Sequence, residues 1–132
     1  MKALVVDDCE SLRSLFQLFL ENMGFETDEA SDGSVAFSML QQTDYDIIIS
    51  DMDMPFVNGM ELYGLIEKYL PHLVSRIIFA TGNSFDETYK SFFLSVTNPV
   101  LFKPFHHDDL TKIVQSLMSN SHGVEARKAV GA

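Results

Sequence analysis

Four places in this 132-residue chain carry reactive side chains at the end of an apolar run. The run "ALVV" (3–6) ends in Asp7-Asp8, and "DIIIS" (46–50) ends in Asp51, with Asp53 two residues further on. "RIIFAT" (76–81) ends in Thr81-Gly82, and "PVLF" (99–102) ends in Lys103-Pro104. Carboxylates crowded together cannot all ionise cheaply; one pKa rises unless a counter-charge is close. A hard divalent cation meets that need with oxygen ligands, and so does a lysine. Taken singly, each feature has a plainer reading. Asp7-Asp8 would suit a helix N-terminus, where acids offset the helix dipole. Thr81 would serve as a β-branched strand residue, and Lys103 as an ordinary surface lysine. Only their joint occurrence at strand ends points to a site.

The elements that must position these groups are legible as two periodicities. Apolar runs mark five strands, at 3–6, 25–30, 46–50, 76–81 and 99–102. Those at 3–6, 47–49 and 77–80 are continuous, as in central strands buried on both faces, whereas "FETDEA" (25–30) alternates like an edge. Between them lie helical faces: Leu12, Leu15, Phe16, Phe19 and Met23; Val35, Ala36, Met39 and Leu40; Leu62, Leu65, Ile66 and Tyr69; Leu110, Ile113, Val114 and Leu117. A weaker helix covers 84–94, with Phe85, Tyr89, Phe92 and Phe93 on one side as a core stripe. Gly24 reads as a helix stop and Ser31-Asp32-Gly33 as a turn into the next helix. His106-His107-Asp108-Asp109 reads as a loop into a helix capped by Asp108 rather than as metal ligands. Strands alternating with helices predict an α/β fold, a doubly wound parallel sheet with helices on both faces. Ligands of such sheets bind outside the carboxyl ends of the strands, where all the reactive groups fall.

Composition narrows the function. The formal net charge of -10 argues against direct binding to nucleic acid. Hydrophobic residues make up 46%, and no apolar run is long enough to span a membrane, so no direct membrane partner is expected. The start "MKALVVDD" does not fit a signal peptide, and Cys9 alone gives no disulfide framework, which together predict a cytoplasmic protein. Acids beside Cys9 blunt its thiol. One domain is expected over 1–118, followed by a polar tail or linker over 119–132.

"VVDD" (5–8), "DMDMPFVNG" (51–59), "ATG" (80–82) and "KPF" (103–105) resemble, in order and spacing, the receiver domains of two-component response regulators. The resemblance covers residues 2 to about 118 and implies the flavodoxin-like strand order 2-1-3-4-5. It makes Asp51 the phosphoryl acceptor, and Asp7 and Asp8 the acidic pair that holds Mg²⁺ with Asp51 and the backbone carbonyl of Asp53. Thr81 becomes the switch hydroxyl and Lys103 the phosphate-contacting lysine, with the Lys103-Pro104 bond expected cis. The implied function is acceptance of a phosphoryl group from a phosphohistidine, on a histidine kinase or a phosphotransfer protein, followed by signalling through conformational change. Such a domain is not a turnover enzyme, although it assists its own phosphorylation and dephosphorylation. Physical chemistry agrees: a carboxylate can act as nucleophile toward phosphorus, and charge and positioning supply most of the catalysis. With Mg²⁺ bound, the charges of three acids and one lysine are balanced.

One feature sets this chain apart from many receivers. Three residues before the lysine they carry Tyr or Phe, where this chain has Val100. Phe102 is expected on the opposite strand face and so is no substitute. Asp53 and Asn83 occupy positions that tune dephosphorylation in the family. The segment "RIIFATGNS…NPVLFKPF" is most similar to receivers attached to hybrid histidine kinases. Two rival readings remain. In a haloacid-dehalogenase-like phosphatase, Asp51 would be nucleophile and Asp53 general acid/base; a degenerate receiver would serve only as a binding module. The first rival calls for its Asp-x-Asp strand at the start of the fold and a late acidic motif, both missing here.

Overall fold

The computed structural model describes residues 1–82 and 86–120. Five strands, β1 (Lys2–Val6), β2 (Glu26–Ala30), β3 (Ile47–Asp51), β4 (Ile77–Thr81) and β5 (Val100–Phe102), form one parallel sheet in the order β2-β1-β3-β4-β5. Five helices cover it: α1 (Glu10–Asn22), α2 (Gly33–Gln42), α3 (Gly59–Tyr69), α4 (Glu87–Ser95) and α5 (His107–Asn120). The predicted fold class and strand order are therefore both found.

The sheet separates two cores because side chains alternate along each strand. Ala3, Val5, Ile47, Ile49, Ile78, Ala80 and Leu101 face one way and bury Phe16 and Leu20 of α1 with Leu110 and Val114 of α5. Leu4, Val6, Ile48, Ile77 and Phe79 face the other way, against α2 and α3, with α4 packed at the margin. This two-sided burial explains the unbroken apolar runs of β1, β3 and β4. In β2 only Ala30 is buried, as an edge strand allows.

Several local expectations need correction. Phe16, Phe19 and Met23 of α1 and Ala36, Met39 and Leu40 of α2 do face the cores, but Leu15 and Val35 are exposed, and Leu20 is fully buried where no apolar position was predicted. A 3-10 helix, Pro71–Arg76, intervenes before β4, where no element was predicted. Asp108 does not cap α5; instead the Asp109 carboxylate accepts from the His106 N–H at 2.9 Å. Phe102 does not lie opposite Val100: two residues apart on one strand, they share a face. Val100 packs against one core and Leu101 lies in the other, while Phe102 is 52% exposed. In α4, Tyr89, Phe92 and Phe93 pack against the core as predicted, with the Phe92 ring edge-on to Phe79 at 5.2 Å. Phe85 and Asn83 of the sequence reading lie outside the described residues. The helix of the predicted tail boundary continues to Asn120, and 121–132 are likewise outside them.

Candidate functional site

Strand pairing continues one residue past three of the strands, and this holds the site together. The Asp7 N–H donates to the Ala30 carbonyl at 3.2 Å, Met52 to Ala80 at 3.1 Å, and Lys103 to Thr81 at 2.8 Å. The residues that leave the sheet are thus still held by its ladder. Beyond β3, two glycines allow close approach. A Cβ on Gly59 would lie 2.6 Å from the Asp51 carbonyl oxygen, and one on Gly33 would lie 2.5 Å from that of Val57. The turn pair Asn58-Gly59 of the sequence reading also starts α3. Asn58 accepts from the Glu61 N–H at 2.9 Å, and Glu61 reaches back to the Asn58 N–H at 3.1 Å, a reciprocal cap.

These constraints bring four of the predicted site residues together: Asp7, Asp8, Asp51 and Lys103. Carboxylate oxygens of Asp7, Asp8 and Asp51 all lie within 4.8 Å of one another. Asp7 and Asp51 are buried, Asp8 is exposed at the rim, and Thr81 is buried at the end of β4. Lys103 Nζ lies 3.1 Å from Asp7 Oδ2 and 3.2 Å from Asp51 Oδ1. Asp7 uses its other oxygen to accept the Cys9 N–H at 2.9 Å, fixing the entry to α1. Asp53 is exposed on the loop after β3, and the Lys103-Pro104 bond is cis.

The electrostatics follow from burial. Asp51 is pushed up from 3.8 to about 6, first by loss of solvent and then by Asp7; Lys103 opposes both. Burial alone would lower the Lys103 pKa, but Asp51 and Asp7 outweigh it and the net shift is upward. Three carboxylates facing one ammonium leave an excess of two negative charges. Oxygen donors grouped so closely, two of them buried, match the needs of a hard divalent cation. Mg²⁺ therefore fits the residues present.

Three contributors escaped the sequence reading. Arg13 donates to the Asp7 carbonyl at 2.8 Å and to Glu29 at 2.7 Å, tying α1 to the strand ends. Only the adjacency of β1 and β2 reveals it. Gly59 was recognised as a turn residue but not as a close neighbour of the Asp51 backbone. Tyr89, read as core, sends its hydroxyl to the Asp53 carboxylate. No periodicity signals that bond.

A doubly wound parallel sheet, with acids at the ends of two adjacent strands and a lysine after a third, is the architecture of a signalling receiver. The chain matches the family of the response regulator receiver domain over residues 3–115, and it belongs to that family. It is 29% identical over 126 residues to the chemotaxis protein CheY of Pseudomonas aeruginosa, covering 93% of this chain and 100% of that one. It is 28% identical over 123 residues to the autoinducer 2 sensor kinase/phosphatase LuxQ of Vibrio cholerae. That match covers 93% of this chain, which spans only 14% of the kinase. Among solved structures, the response regulator TrrA of Thermotoga maritima, in complex with Mg²⁺–BeF, superposes with a TM-score of 0.75. The two are 31% identical, over 88% of this chain and 97% of that one. The chain is thus a receiver domain of two-component signalling, a class that in general does not turn over substrate and is related to sensor histidine kinases. No helix among the described residues is long and apolar enough to cross a membrane.

Proposed function

We propose that Asp51 accepts a phosphoryl group from a phosphohistidine on a histidine kinase or phosphotransfer protein, and that the resulting change in charge signals through conformation. The observation that carries this reading is the buried Asp51 carboxylate, 3.2 Å from Lys103 and grouped with Asp7 and Asp8. Mg²⁺, held by Asp7, Asp8, Asp51 and the Asp53 carbonyl, would neutralise charge on the transferred oxygens. In the transfer, an Asp51 carboxyl oxygen bonds to phosphorus as the bond from phosphorus to the imidazole nitrogen breaks. The imidazole leaves with the electron pair. Lys103 steadies the acid pair beforehand and a phosphoryl oxygen afterwards. Thr81, at the end of the neighbouring strand, supplies a hydroxyl toward the product, so that its loop follows the phosphorylation state.

The receiver unit is residues 1–118, with 119–132 as a tail or linker, and its place of action is the cytoplasm. Donor proteins are its partners, with no direct contact to nucleic acid or membrane. It assists its own phosphorylation and dephosphorylation without turning over a substrate. The acid pair just past β1, beside Asp51, is what a phosphatase of the Asp-x-Asp kind does not require, and the Asp53 carboxylate is engaged by Tyr89.

The test is intact mass after incubation with acetyl phosphate and Mg²⁺. A single phosphoryl adduct is expected, lost in Asp51→Asn and lost when the metal is chelated. Steady turnover of a phosphate ester without an adduct would replace the reading with a phosphatase. Neither adduct nor turnover, even with a phosphohistidine donor, would leave a binding module.

A further inference from the structure

Tyr89 stands near the start of α4, the helix that follows the strand of Thr81. It shares a helix face with Phe92 and Phe93, and all three pack against the same core. A phenylalanine would fill that place equally well, so packing does not account for the hydroxyl. Its partner does: the hydroxyl donates to the carboxylate of Asp53, two residues past Asp51 on the loop leaving β3. Asp8, Asp53, Met54, Pro55, Asn58 and Tyr89 line an open cavity of about 310 Å³ that includes one acid of the cluster. Asp53 is only two residues from Asp51 along the chain. A side chain on so short a tether, if released, has the acceptor site within reach.

We propose that Tyr89 is a positioning residue for the phosphoryl chemistry: its hydroxyl holds the Asp53 carboxylate toward α4 and away from the group carried by Asp51. This rests on the phospho-acceptor reading of Asp51. Held in this way, the carboxylate adds no repulsion toward an incoming phosphoryl group. It also offers no acceptor to orient water behind the acyl phosphate. In hydrolysis the water oxygen bonds to phosphorus while the bond from phosphorus to the Asp51 oxygen breaks, and Asp51 leaves with the electron pair. The second water proton passes to a phosphoryl oxygen, giving dihydrogen phosphate and the Asp51 carboxylate. A freed Asp53 carboxylate would accept a hydrogen bond from that water and hold it in line. Tyr89 thereby sets the lifetime of the phosphorylated state, and it links that lifetime to the position of α4.

The experiment uses the full chain as wild type, Tyr89→Phe, Asp53→Ala and the double variant. Each is phosphorylated with acetyl phosphate and Mg²⁺, freed of donor and followed by intact mass. Tyr89→Phe keeps the ring and removes the hydroxyl. The expected result is a half-life about fivefold shorter, the worth of one hydrogen bond of ordinary strength. In the Asp53→Ala background the same change should have no effect, because no side-chain acceptor is left to release. A merely structural tyrosine would shorten the half-life equally in both backgrounds, and that result would overturn the inference. Equal half-lives of wild type and Tyr89→Phe would also overturn it, while leaving the acceptor reading intact. If wild type forms no adduct at Asp51 at all, the acceptor reading falls and the inference falls with it.

Discussion

Asn in place of Asp51 should make the metal-free domain more stable at neutral pH, although it removes a hydrogen-bonding partner of Lys103. Asp51 is 6% exposed and titrates near 6 instead of 3.8, because burial and then Asp7 disfavour its charge more than Lys103 favours it. A folded-state pKa raised above the unfolded value means that folding favours the protonated acid. This contribution to stability is therefore whole below about pH 4 and is lost as pH rises through about 6. Once Asp51 is fully ionised, the loss is about 3 kcal/mol. Asparagine cannot ionise and escapes it, but it leaves Lys103 with Asp7 as its main partner. A net gain of about 1–3 kcal/mol at pH 7.5 is expected, which for a domain of this size raises Tm by roughly 4–12 °C. At pH 4 the gain should disappear.

Thermal melts of both proteins in a chelating buffer, from pH 4 to 8, measure the difference directly. Groups common to both chains cancel in the comparison. Saturating Mg²⁺ should reverse the order, since a ligand at a hundred times its Kd adds about 2.7 kcal/mol to the chain that binds it. Wild type would gain that stability and Asp51→Asn would gain less. If the variant is no more stable than wild type at pH 7.5 without metal, or if the gap does not change with pH, the account of Asp51 as a strained buried charge is refuted.

Three further changes probe the supports of the site. Gly59→Ala should cost about 1–3 kcal/mol, because its Cβ meets the Asp51 carbonyl oxygen at 2.6 Å and Met52 Sδ at 2.9 Å. Urea unfolding measures that cost, and phosphorylation by acetyl phosphate should slow with it. Arg13→Met removes the 2.8 Å bond to the Asp7 carbonyl, and calorimetry should show Mg²⁺ binding weakened several-fold with about 1 kcal/mol of stability lost. Tyr45, buried and bonded to Asp28 at 2.6 Å, is pushed up to about 12 by burial and then by Asp28. Tyr45→Phe should remove an alkaline absorbance transition near that pH and cost about 1 kcal/mol in urea.

The sequence reading reached the sheet because burial on two faces leaves a plain mark. Ile47, Ile48 and Ile49 are buried on alternating sides, so no polar residue interrupts them. It reached the acid cluster because parallel strands bring their carboxyl ends together, given the strand order that the resemblance supplied. Where it failed, the deciding forces were not periodic. Val35 fits a helical apolar stripe, yet it is exposed, because α2 turns Ala36 and Leu40 inward and Val35 falls beside that face. Asp108 and Asp109 are both good capping residues by type. The His106 N–H bonds to Asp109, three residues on, and not to Asp108. The placing of Phe102 opposite Val100 was an error of strand period. Tyr89 shows the deeper limit: a helix face locates its ring but says nothing of the hydroxyl, whose partner is 36 residues away along the chain.

The same charges govern stability and chemistry here, and the fold keeps the two in tension. A sheet whose β1 and β3 ended in amides would avoid the ionisation cost at Asp51, and Lys103 would then need no buried acids as partners. On the proposed reading it would also lack the nucleophile and the cation site. Lys103 relieves part of the charge but cannot balance three carboxylates, so an excess negative charge persists at the mouth of the sheet. On the proposed reading, that excess would draw in a divalent cation, and the cation would make room for a phosphoryl group that adds about 1.5 to 2 further negative charges. The ladder bonds just beyond β1, β3 and β5 matter for this reason. They keep Asp7, Met52 and Lys103 from relaxing away from one another, so that on the proposed reading the repulsion would be met by a ligand rather than by a rearranged loop.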